Sequence, residues 1–596
     1  MRFGFCCILL AAFVCSAEET KPAPRHDSIV VTGTFEPLPL EEADRAVRIF
    51  DVSSLYLLAN SFTDLLQLDS SVDLRQRAPN GVQADISIRG GTFGQTLVLL
   101  NGMRLNDSQS GHHNLDLPVP IESVSKIELL KGLGSTFYGS DAVGGVVNVI
   151  TKVPESSELR LRTAVGNWGV NQQRASYTTL FGNISQQFSF SRDFSTGFRE
   201  NRDYRNLSVA SSTHATSRLG ATDLLLAHND RPFGADQFYG NFNSWERTKG
   251  WFASIKQDFG SKTEAAFAFR RHTDLFVLYR DRPQAFTNRH AVESFEGALR
   301  RNETLGANTR FHYGAEGYRD SIISNNLGTH SRARGAAYAA LDIRSLRRWS
   351  FSIGAREEVF RNLQGQFVPS ASAGVWLSQA LKLRMSVSRA FRLPTYTDLY
   401  YSDPATRGFP GLRPERAWNY EAGLDWNVRG RVRGDATVFH RREQDGIDYV
   451  RNSVNDVWRA TNFQRLQFTG VEASVAATLR RTQQIDFRYT GLHGGRDQLA
   501  GIFSRYVFNY ASQSAVASWQ GLLPGGLTAR TRIGSIQRYA RDLYALWDFY
   551  FARSRGRIHP FVQFTNLTNA RYEEILGVAM PGRGVVAGVD IVVFGR

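Results

Sequence analysis

The chain has 596 residues, a formal net charge of +15 at pH 7, 42% hydrophobic residues and a mean hydropathy of −0.30. This length exceeds what one ordinary core can hold, so it predicts several domains or one large barrel with an additional domain. Beyond the N-terminal segment there is no run of about 18 apolar residues, which excludes a spanning helix but not a transmembrane β-barrel. The basic residues are dispersed along the chain. We therefore expect them in loops and on a wet barrel wall near anionic lipid, and we expect no nucleic-acid partner.

Residues 1–17 have the features of a secretory signal peptide. Arg2 is followed by the apolar run Phe3 to Val14 and then by small residues that end at Ala17, the order that a signal peptidase recognises. A buried N-terminal strand or helix is the alternative. All the cysteines lie in this segment, so the mature chain is expected to have no disulfide. They are Cys6, Cys7 and Cys15.

Residues 18–40 form a short lead into the first domain. Pro22 and Pro24 favour a flexible start, and Ile29, Val30 and Val31 follow with high β propensity. A partner protein can capture such an extended run by adding a strand to it. A plain strand is the alternative.

Residues 41–152 predict a compact α+β domain. Ser61 is placed to cap a helix whose apolar face begins at Leu65 and Leu66. Gln95 to Asn101 and Val124 to Leu130 predict buried strands.

From residue 153 to residue 596, short alternating segments recur between polar turns. In Leu381 to Ser388 the apolar residues share one face, and lysine, arginine and serine share the other, as expected for a β-strand. An apolar outside and a wet inside are typical of a membrane barrel, and this length accommodates about 22 antiparallel strands. A secreted β-sandwich or propeller is the alternative. Because so wide a barrel would leak, residues 41–152 are predicted to plug its lumen.

The final strand has a parity problem. Its apolar face consists of Val585, Ala587, Val589, Ile591 and Val593. Phe594, however, shares parity with the charged Asp590. Either the strand contains a bulge, or Asp590 lies near an interface where a charge on the lipid face costs little.

Short, specific motifs occur in both regions. The first region contains Asp85-Ile86-Ser87-Ile88-Arg89-Gly90, Leu97 to Leu105, Val124 to Gly132 and, most specific, Ser135 to Thr151. The second contains Ser388 to Thr395, Leu412-Arg413-Pro414-Glu415 and Asn566 to Tyr572. With these motifs, the chain resembles TonB-dependent outer-membrane receptors over nearly its whole length after the signal segment. Within that family it is most similar to the cobalamin (vitamin B12) transporter group.

The resemblance implies an outer-membrane location, no enzymatic activity, and energy supplied by TonB, the inner-membrane coupling protein. TonB would capture the TonB box, which consists of Asp27, Ser28, Ile29, Val30, Val31 and Thr32. Charged plug residues, here Arg89, Glu128 and Lys131, would hold the plug against barrel carboxylates, with an ordinary surface charge as the alternative for Lys131. We expect a monomer surrounded by lipid and lipopolysaccharide, with no required cofactor.

The resemblance also places the ligand against two outward plug loops and one barrel loop. The candidate contacts are Gln76, Asn80, Gln83, Asn106, Gln109, Ser110, His112, His113 and Asn114 in the plug, and Phe238 and Tyr239 in the barrel. Amide-rich loops suit a large polar ligand. We interpret the adjacent histidines as ligand-facing or structural, with a metal or metal-chelate contact as the alternative. Asp230 and Asp236 are candidates for calcium in an external loop, with a solvated loop as the alternative.

The leading hypothesis is TonB-dependent uptake of a cobalamin-like ligand. Uptake of a siderophore or another ferric chelate is the alternative within the same class. An outer-membrane adhesin or enzyme is the alternative from another class. It is disfavoured because the sequence has no Ser/His/Asp arrangement, H-E-x-x-H motif or phosphate-binding loop, and because a plug would have no purpose in an adhesin.

Overall fold

The computed structural model describes residues 29–34, 37–346, 348–361, 363–463, 465–480, 482–495 and 501–595. A closed antiparallel barrel of 22 strands surrounds a small α+β domain, as the strand alternation predicted. The predicted signal peptide, and Asp27 and Ser28 of the predicted TonB box, lie outside the described residues. Among the described residues, no helix combines the length and the apolar character needed to cross a membrane.

The small domain, which we call the plug, is built on one mixed sheet and one hairpin. The sheet consists, in spatial order, of Val47–Asp51, Val124–Lys131, Gly145–Thr151, Thr96–Leu100 and Met103–Arg104. The hairpin, which we call the apical hairpin, pairs Val72–Ala78 with Val82–Ile88. The helices are Val52–Leu55, Phe62–Leu66 and Ser135–Tyr138, with 3-10 turns at Leu40–Glu42, Tyr56–Leu58, Phe93–Gln95, Gly111–His113 and Ile121–Ser123. Upstream, Ile29–Val30 pairs with Leu38–Pro39.

The local sequence explains these elements. The predicted helix cap is confirmed, because the Ser61 hydroxyl accepts a hydrogen bond from the Asp64 amide at 3.3 Å. The two predicted buried strands are also present, and side chains from the sheet and the hairpin form one apolar core. Leu65, Ile86 and Val98 in that core are fully buried.

The barrel strands run up and down around the plug. They are Glu158–Gly166, Asn171–Phe181, Ile184–Ser195, Tyr204–Thr216, Ala221–Asp236, Asn243–Phe259, Thr263–Val277, Thr287–Gly306, Thr309–Ser324, Gly328–Leu346, Trp349–Phe360, Gln366–Ser378, Leu381–Arg392, Glu415–Val428, Val432–Gln444, Leu466–Arg480, Gln483–Gly494, Ala511–Leu523, Leu527–Arg538, Leu543–Arg553, Ile558–Thr565 and Gly584–Phe594. The turns at one end are short, whereas the other end has long loops at 393–414, 445–465, 495–510 and 566–583. In outer-membrane barrels the short turns face the periplasm.

The predicted alternation of lumen and outer faces is confirmed. Lys382 and Arg384 are buried on the lumen side, whereas Met385, the next residue in the chain, is 50% exposed on the outer face. The outer surface is apolar along the strands, which is how a barrel meets hydrocarbon.

A bulge resolves the parity of the last strand. The register against the first barrel strand shifts so that Leu159 pairs with Phe594 while Arg160 pairs with Val592. The bulge turns Phe594 outward, where it is 40% exposed. Asp590 points inward instead and accepts a hydrogen bond from the Tyr56 hydroxyl of the plug at 2.9 Å. The alternative of Asp590 on the lipid face is therefore wrong.

Candidate functional site

The N-terminal segment is held against the plug at the short-turn end. The backbone amides of Val31 and Thr32 donate to Glu128 Oε2 at 2.9 and 2.7 Å. Asn148 Nδ2 donates to Thr32 Oγ1 at 3.0 Å, and Thr32 is fully buried. In this state Val31 and Thr32 of the predicted TonB box are docked rather than free.

These contacts correct the role expected for Glu128. It was predicted to anchor the plug to the barrel, but it accepts from the N-terminal amides and pairs with Lys126 of its own strand. The physical reason is position. Glu128 lies in the strand Val124–Lys131, which has Val47–Asp51 and Gly145–Thr151 on its two sides, and its side chain faces the N-terminal segment rather than the wall.

Arg89 and Lys131 do contact barrel carboxylates. Arg89 donates to Glu472 at 2.8 and 2.9 Å and to Glu421 at 2.5 Å. Lys131 lies 3.2 Å from Asp69 of the plug and 3.6 Å from Glu472. These groups are buried. They therefore form a desolvated charge network between the plug and the wall.

Further ion pairs across this interface were not predicted. Each joins a plug carboxylate to a lumen-facing base of the barrel. They are Asp44–Lys382 at 2.8 Å, Asp73–Arg538 at 2.7 Å, Asp107–Arg270 at 2.8 Å, Asp116–Arg231 at 2.6 Å and Glu122–Arg174 at 3.3 Å. The alternation along each strand predicts that these barrel residues face the lumen. It does not predict which plug residue each of them contacts.

The first predicted ligand loop lies at the tip of the apical hairpin, beneath the long external loops. The Gln76 amide donates to Glu574 at 2.5 Å. Asn80 Nδ2 donates to the Tyr204 hydroxyl at 2.6 Å. Gln83 donates to the Tyr239 hydroxyl. The tip is thus covered by barrel residues.

The second predicted ligand loop is mostly engaged in structural contacts. Asn106 accepts from the Val98 amide at 2.7 Å, and Asn114 accepts from the Asp107 amide at 3.0 Å. The Ser110 hydroxyl accepts from the amide of His112 at 3.4 Å. All of these residues lie at the apex of the plug, on the side of the long loops.

The two adjacent histidines point to different partners. His112 Nδ1 lies 2.8 Å from Asp85 Oδ1, and its ring stacks on Phe93 with centroids 4.2 Å apart. His113 instead enters a buried group of carboxylates from the plug and the barrel. Gln109 approaches the same group and donates to Asp274 at 2.7 Å. A joint site of the two histidines is not formed.

Three external loops combine into one small sheet over the apex, which we call the lid. Its strands are Thr406–Arg407, Trp458–Phe463, Gly446–Arg451 and Phe503–Ser504. Asp448 holds the lid together by accepting from the amides of Tyr506 at 3.1 Å and Val507 at 3.0 Å. Tyr506 packs edge-on against Phe93 of the plug at 4.9 Å between centroids. The lid sheet therefore lies directly on the plug apex.

Of the two barrel candidates, Phe238 is buried and Tyr239 is half-buried. Phe238 packs with Ala78 and Val82 of the apical hairpin. The Tyr239 hydroxyl donates to Glu246 at 2.5 Å. Both residues support the tip of the plug in this closed arrangement.

The calcium interpretation of Asp230 and Asp236 is corrected. Both residues lie in the barrel strand Ala221–Asp236 rather than at a loop tip. Asp230 accepts from Arg247 at 2.7 Å and Arg205 at 3.2 Å, and Asp236 lies 3.3 Å from Arg199. Six residues of strand separate them by about 20 Å, so they cannot share an ion, and their oxygens face arginines.

A small cavity of about 30 Å³ lies at the plug apex. Asn106 and Asn114, two of the predicted contacts, line it together with Ser108. The arginines in its wall are Arg104, Arg332, Arg334 and Arg392, and they are paired with Asp141, Asp320, Glu358 and Glu415 respectively. The cavity is therefore polar with nearly balanced charge, and it offers both donors and acceptors to a ligand.

Two family models match the chain. Residues 41–146 match the model described as "TonB-dependent Receptor Plug Domain". Residues 158–576 match the model described as "TonB dependent receptor-like, beta-barrel". The two matches coincide with the plug and the barrel.

Curated relatives are similar over most of the chain. "Vitamin B12 transporter BtuB" of Photobacterium profundum is 24% identical over 464 residues, 71% of this chain and 72% of the relative. "Iron-regulated outer membrane virulence protein" of Vibrio cholerae is 23% identical over 574 residues, 85% of this chain and 84% of the relative. "Vitamin B12 transporter BtuB" of Vibrio vulnificus is 32% identical over a shorter stretch of 155 residues, 26% of this chain and 25% of the relative.

Solved structures share the fold. The siderophore receptor PirA from Acinetobacter baumannii superimposes with a TM-score of 0.76 at 14% identity, covering 92% of this chain and 98% of that one. A mutant of the ferric enterobactin receptor PfeA from Pseudomonas aeruginosa gives a TM-score of 0.77 at 14% identity, covering 95% and 100%. The FrpB iron transporter from Neisseria meningitidis gives 0.75 at 15% identity, covering 92% and 99%.

Proposed function

The chain belongs to the TonB-dependent outer-membrane receptor family, and from that premise we propose that it imports a cobalamin-like ligand by an uptake cycle powered by TonB. The family consists of receptors and transporters rather than enzymes, and its members are outer-membrane proteins. Import here requires no covalent chemistry. It requires that ligand binding under the lid changes the N-terminal segment on the opposite side of the plug.

The observation that carries the coupling proposal is the docking of Val31 and Thr32 on Glu128. The docked amides are satisfied by a buried carboxylate, so they are not available for strand addition by a partner. Glu128 lies in the strand Val124–Lys131, which ends at Lys131 in the plug–wall charge network. A rearrangement of the plug that begins at the apex can therefore reach the contact of Glu128 with Val31 and Thr32 through one continuous strand.

A corrinoid is the proposed ligand because two of the relatives described above are named vitamin B12 transporters. The wall of the apical cavity carries amides and paired charges, which are groups that hold a polar ligand by hydrogen bonds. A ferric chelate is the second candidate. It is favoured by the iron-regulated relative, which aligns with a larger share of this chain.

Coupling is tested by Val30→Pro. Val30 pairs with Leu38 in the short N-terminal ladder, and proline removes the donor that strand addition needs. Ligand binding by the purified variant should match the wild type, and uptake by cells should be lost. The control is Glu155→Pro, which removes a backbone donor at an exposed position between the plug and the first barrel strand and should leave uptake unchanged. Uptake that survives Val30→Pro would show that the coupling segment is misassigned.

The ligand is tested by titrating the purified protein with cyanocobalamin and with ferric catecholate chelates. Binding of cyanocobalamin at or below about micromolar concentration supports the corrinoid proposal. Binding of the chelates alone at that concentration would replace it with the second candidate. The Val30→Pro test keeps its meaning with either ligand.

A further inference from the structure

A buried group of histidines and carboxylates lies between the plug apex and the barrel wall. Around His113, Nδ1 lies 3.7 Å from Asp116 Oδ2, and Nε2 lies 3.5 Å from Asp274 Oδ2 and 3.9 Å from Glu246 Oε1. His272 Nε2 lies 3.6 Å from Asp116 Oδ2, and the two imidazole rings are 4.9 Å apart between centroids. We call these five residues the His113 cluster.

The cluster is assembled from both parts of the molecule. His113 and Asp116 belong to the plug, whereas Glu246 lies in the barrel strand Asn243–Phe259. His272 and Asp274 lie on the lumen side of the neighbouring strand Thr263–Val277. Neither the plug nor the barrel alone brings these donors together.

Two of the three carboxylates in the cluster lack a lysine or arginine partner among the described residues. Asp116 is neutralised by Arg231 at 2.6 Å, and the adjacent Asp107 by Arg270 at 2.8 Å. In the described part of the chain, Glu246 and Asp274 have no lysine or arginine within ion-pair distance, and each pairs with His113 instead. Since isolated buried charges are strongly unfavourable, these two carboxylates need either a cation or bound protons to offset their charge.

Several nitrogen and oxygen atoms of the cluster have no hydrogen-bond partner among the described residues. They are Nδ1 of His113, Nε2 of His272 and Oδ1 of Asp274, all inaccessible to solvent. Buried polar atoms in native proteins are nearly always satisfied. The unpartnered oxygen of Asp274, whose other oxygen lies beside His113 Nε2, thus points to a missing cationic partner.

We propose that the His113 cluster binds a divalent transition-metal ion of the zinc class. The donor atoms fall into two groups, His113–Asp116–His272 around His113 Nδ1 and His113–Glu246–Asp274 around His113 Nε2, each with all atoms within 4.8 Å of one another. One ion can bind only one of these two nitrogens. The second group is the proposed site, because its carboxylates have no lysine or arginine partner in the described part of the chain. Zinc bonds of about 2.0–2.2 Å in a tetrahedron place ligand atoms about 3.3–3.6 Å apart. His113 Nε2 lies 3.5 Å from Asp274 and 3.9 Å from Glu246, and all donor pairs lie within 4.8 Å, so side-chain rotations can bring the donors to this spacing. Imidazole with carboxylate is a donor set that suits such ions.

Surrounding residues already orient the ligands. Gln109 Nε2 donates to Asp274 at 2.7 Å, and the Tyr239 hydroxyl donates to Glu246 at 2.5 Å. Outer hydrogen bonds of this kind fix the direction of metal ligands and are part of most metal sites. The ion would join the plug to the wall whatever nutrient the receptor imports, so the proposal does not depend on the proposed function.

The test is a titration of the full-length protein, purified in detergent and stripped with a chelator, with Zn²⁺ and with Co²⁺. We expect binding of a single equivalent of Zn²⁺, and a Co²⁺ absorption spectrum typical of low coordination number. His113→Ala and Glu246→Gln should each weaken Zn²⁺ binding at least about tenfold, since even outer-shell changes cost that much. His214→Ala is the matched control, because it removes another histidine–aspartate pair, His214–Asp223, outside the cluster, and should leave binding unchanged.

The outcomes distinguish metal binding from the alternative explanation. In that alternative, no metal is bound, and protonated His113 and His272 balance the charge of the carboxylates. Absence of stoichiometric Zn²⁺ binding to the stripped wild type, or binding that His113→Ala leaves intact, overturns the proposal. X-ray absorption of zinc-loaded wild type must show imidazole in the zinc coordination shell, and a shell of oxygen atoms alone would also overturn it. This last measurement needs no variant to fold.

Discussion

Arg89 of the plug grips Glu472 of the barrel wall through two parallel hydrogen bonds, from Nε at 2.8 Å and from Nη2 at 2.9 Å. The same guanidinium donates to Glu421 at 2.5 Å and lies over the ring of Phe439 at 4.4 Å. Close approach to the wall depends on Gly90, because it has a φ of +73° and a Cβ there would lie 2.3 Å from Leu492 Cδ2. Arg89 therefore makes a central contact that holds the plug against the barrel wall.

The substitution Arg89→Ala should lower the stability of the plug inside the barrel. It removes the hydrogen bonds of Arg89 to two buried carboxylates and leaves Glu472 with Lys131 and Glu421 with Arg384 as cationic partners. Breaking a buried pair costs about 3–5 kcal/mol. Urea unfolding of the plug, followed by hydrogen exchange of the strand Val124–Lys131, should move to lower urea. Cells should also become more permeable to a large antibiotic. Arg301→Ala, which removes an exposed ion pair with Glu303, should change neither measurement. Unchanged plug stability in Arg89→Ala would contradict the assignment.

Glu128→Ala should release the N-terminal segment without ligand. The variant removes the acceptor of the Val31 and Thr32 amides, and hydrogen bonds to a charged group contribute about 1.5–3 kcal/mol each. In the ligand-free protein, binding of the periplasmic domain of TonB should strengthen about tenfold or more, measured by titration. The exposed Glu155 supplies the control variant Glu155→Ala. Equal affinity for TonB in both variants would remove Glu128 from the coupling path.

The sequence predicts the architecture well because its signals are local. Alternation in segments such as Leu381–Arg392 identifies strands and their lumen faces, and the Ser61 cap identifies a helix start. The parity conflict between Asp590 and Phe594 identifies the last strand as irregular and leaves a bulge as one of two explanations, which the structure then confirms. Each of these signals depends on residues that are close together in the chain.

The site could be predicted only in part, because its contacts depend on how the plug is rotated inside the barrel. Parity places Glu472, Glu246 and Asp274 in the lumen, but the lumen contains many such charges. Which of them meets Arg89 or His113 is decided by packing between residues that are distant in the chain. The lid could not be predicted either, since its strands come from three loops whose sequences show no periodicity.

The lid should open when Asp448 is replaced by alanine. Asp448 is buried and accepts the amides of Tyr506 and Val507, and an unsatisfied buried donor costs about 1–3 kcal/mol. Hydrogen exchange in Gly446–Arg451 and at Tyr506 should accelerate by roughly ten- to a hundredfold, and ligand association should become faster. Asp456→Ala in the same loop removes only an exposed turn contact, with the Ser453 amide, and is the matched control. Exchange that stays slow in the Asp448 variant would show that the lid is held elsewhere.

The contact between Glu574 and the Gln76 amide should weaken as the pH rises. Burial raises the pKa of Glu574 from 4.5 to about 7, so the closed loop holds a proton that an open, solvated loop has lost. Below about pH 4.5 both states are protonated. Between pH 4.5 and 7, the free energy of the open loop relative to the closed loop falls by on the order of 1.4 kcal/mol per pH unit. Above pH 7 this change is complete. Exchange at the Gln76 amide, corrected for intrinsic rates, should therefore be faster at pH 8 than at pH 5. Glu574→Gln should abolish this difference, and Glu573→Gln, at the exposed neighbour, should keep it. A pH difference that persists in Glu574→Gln would assign the effect to another group.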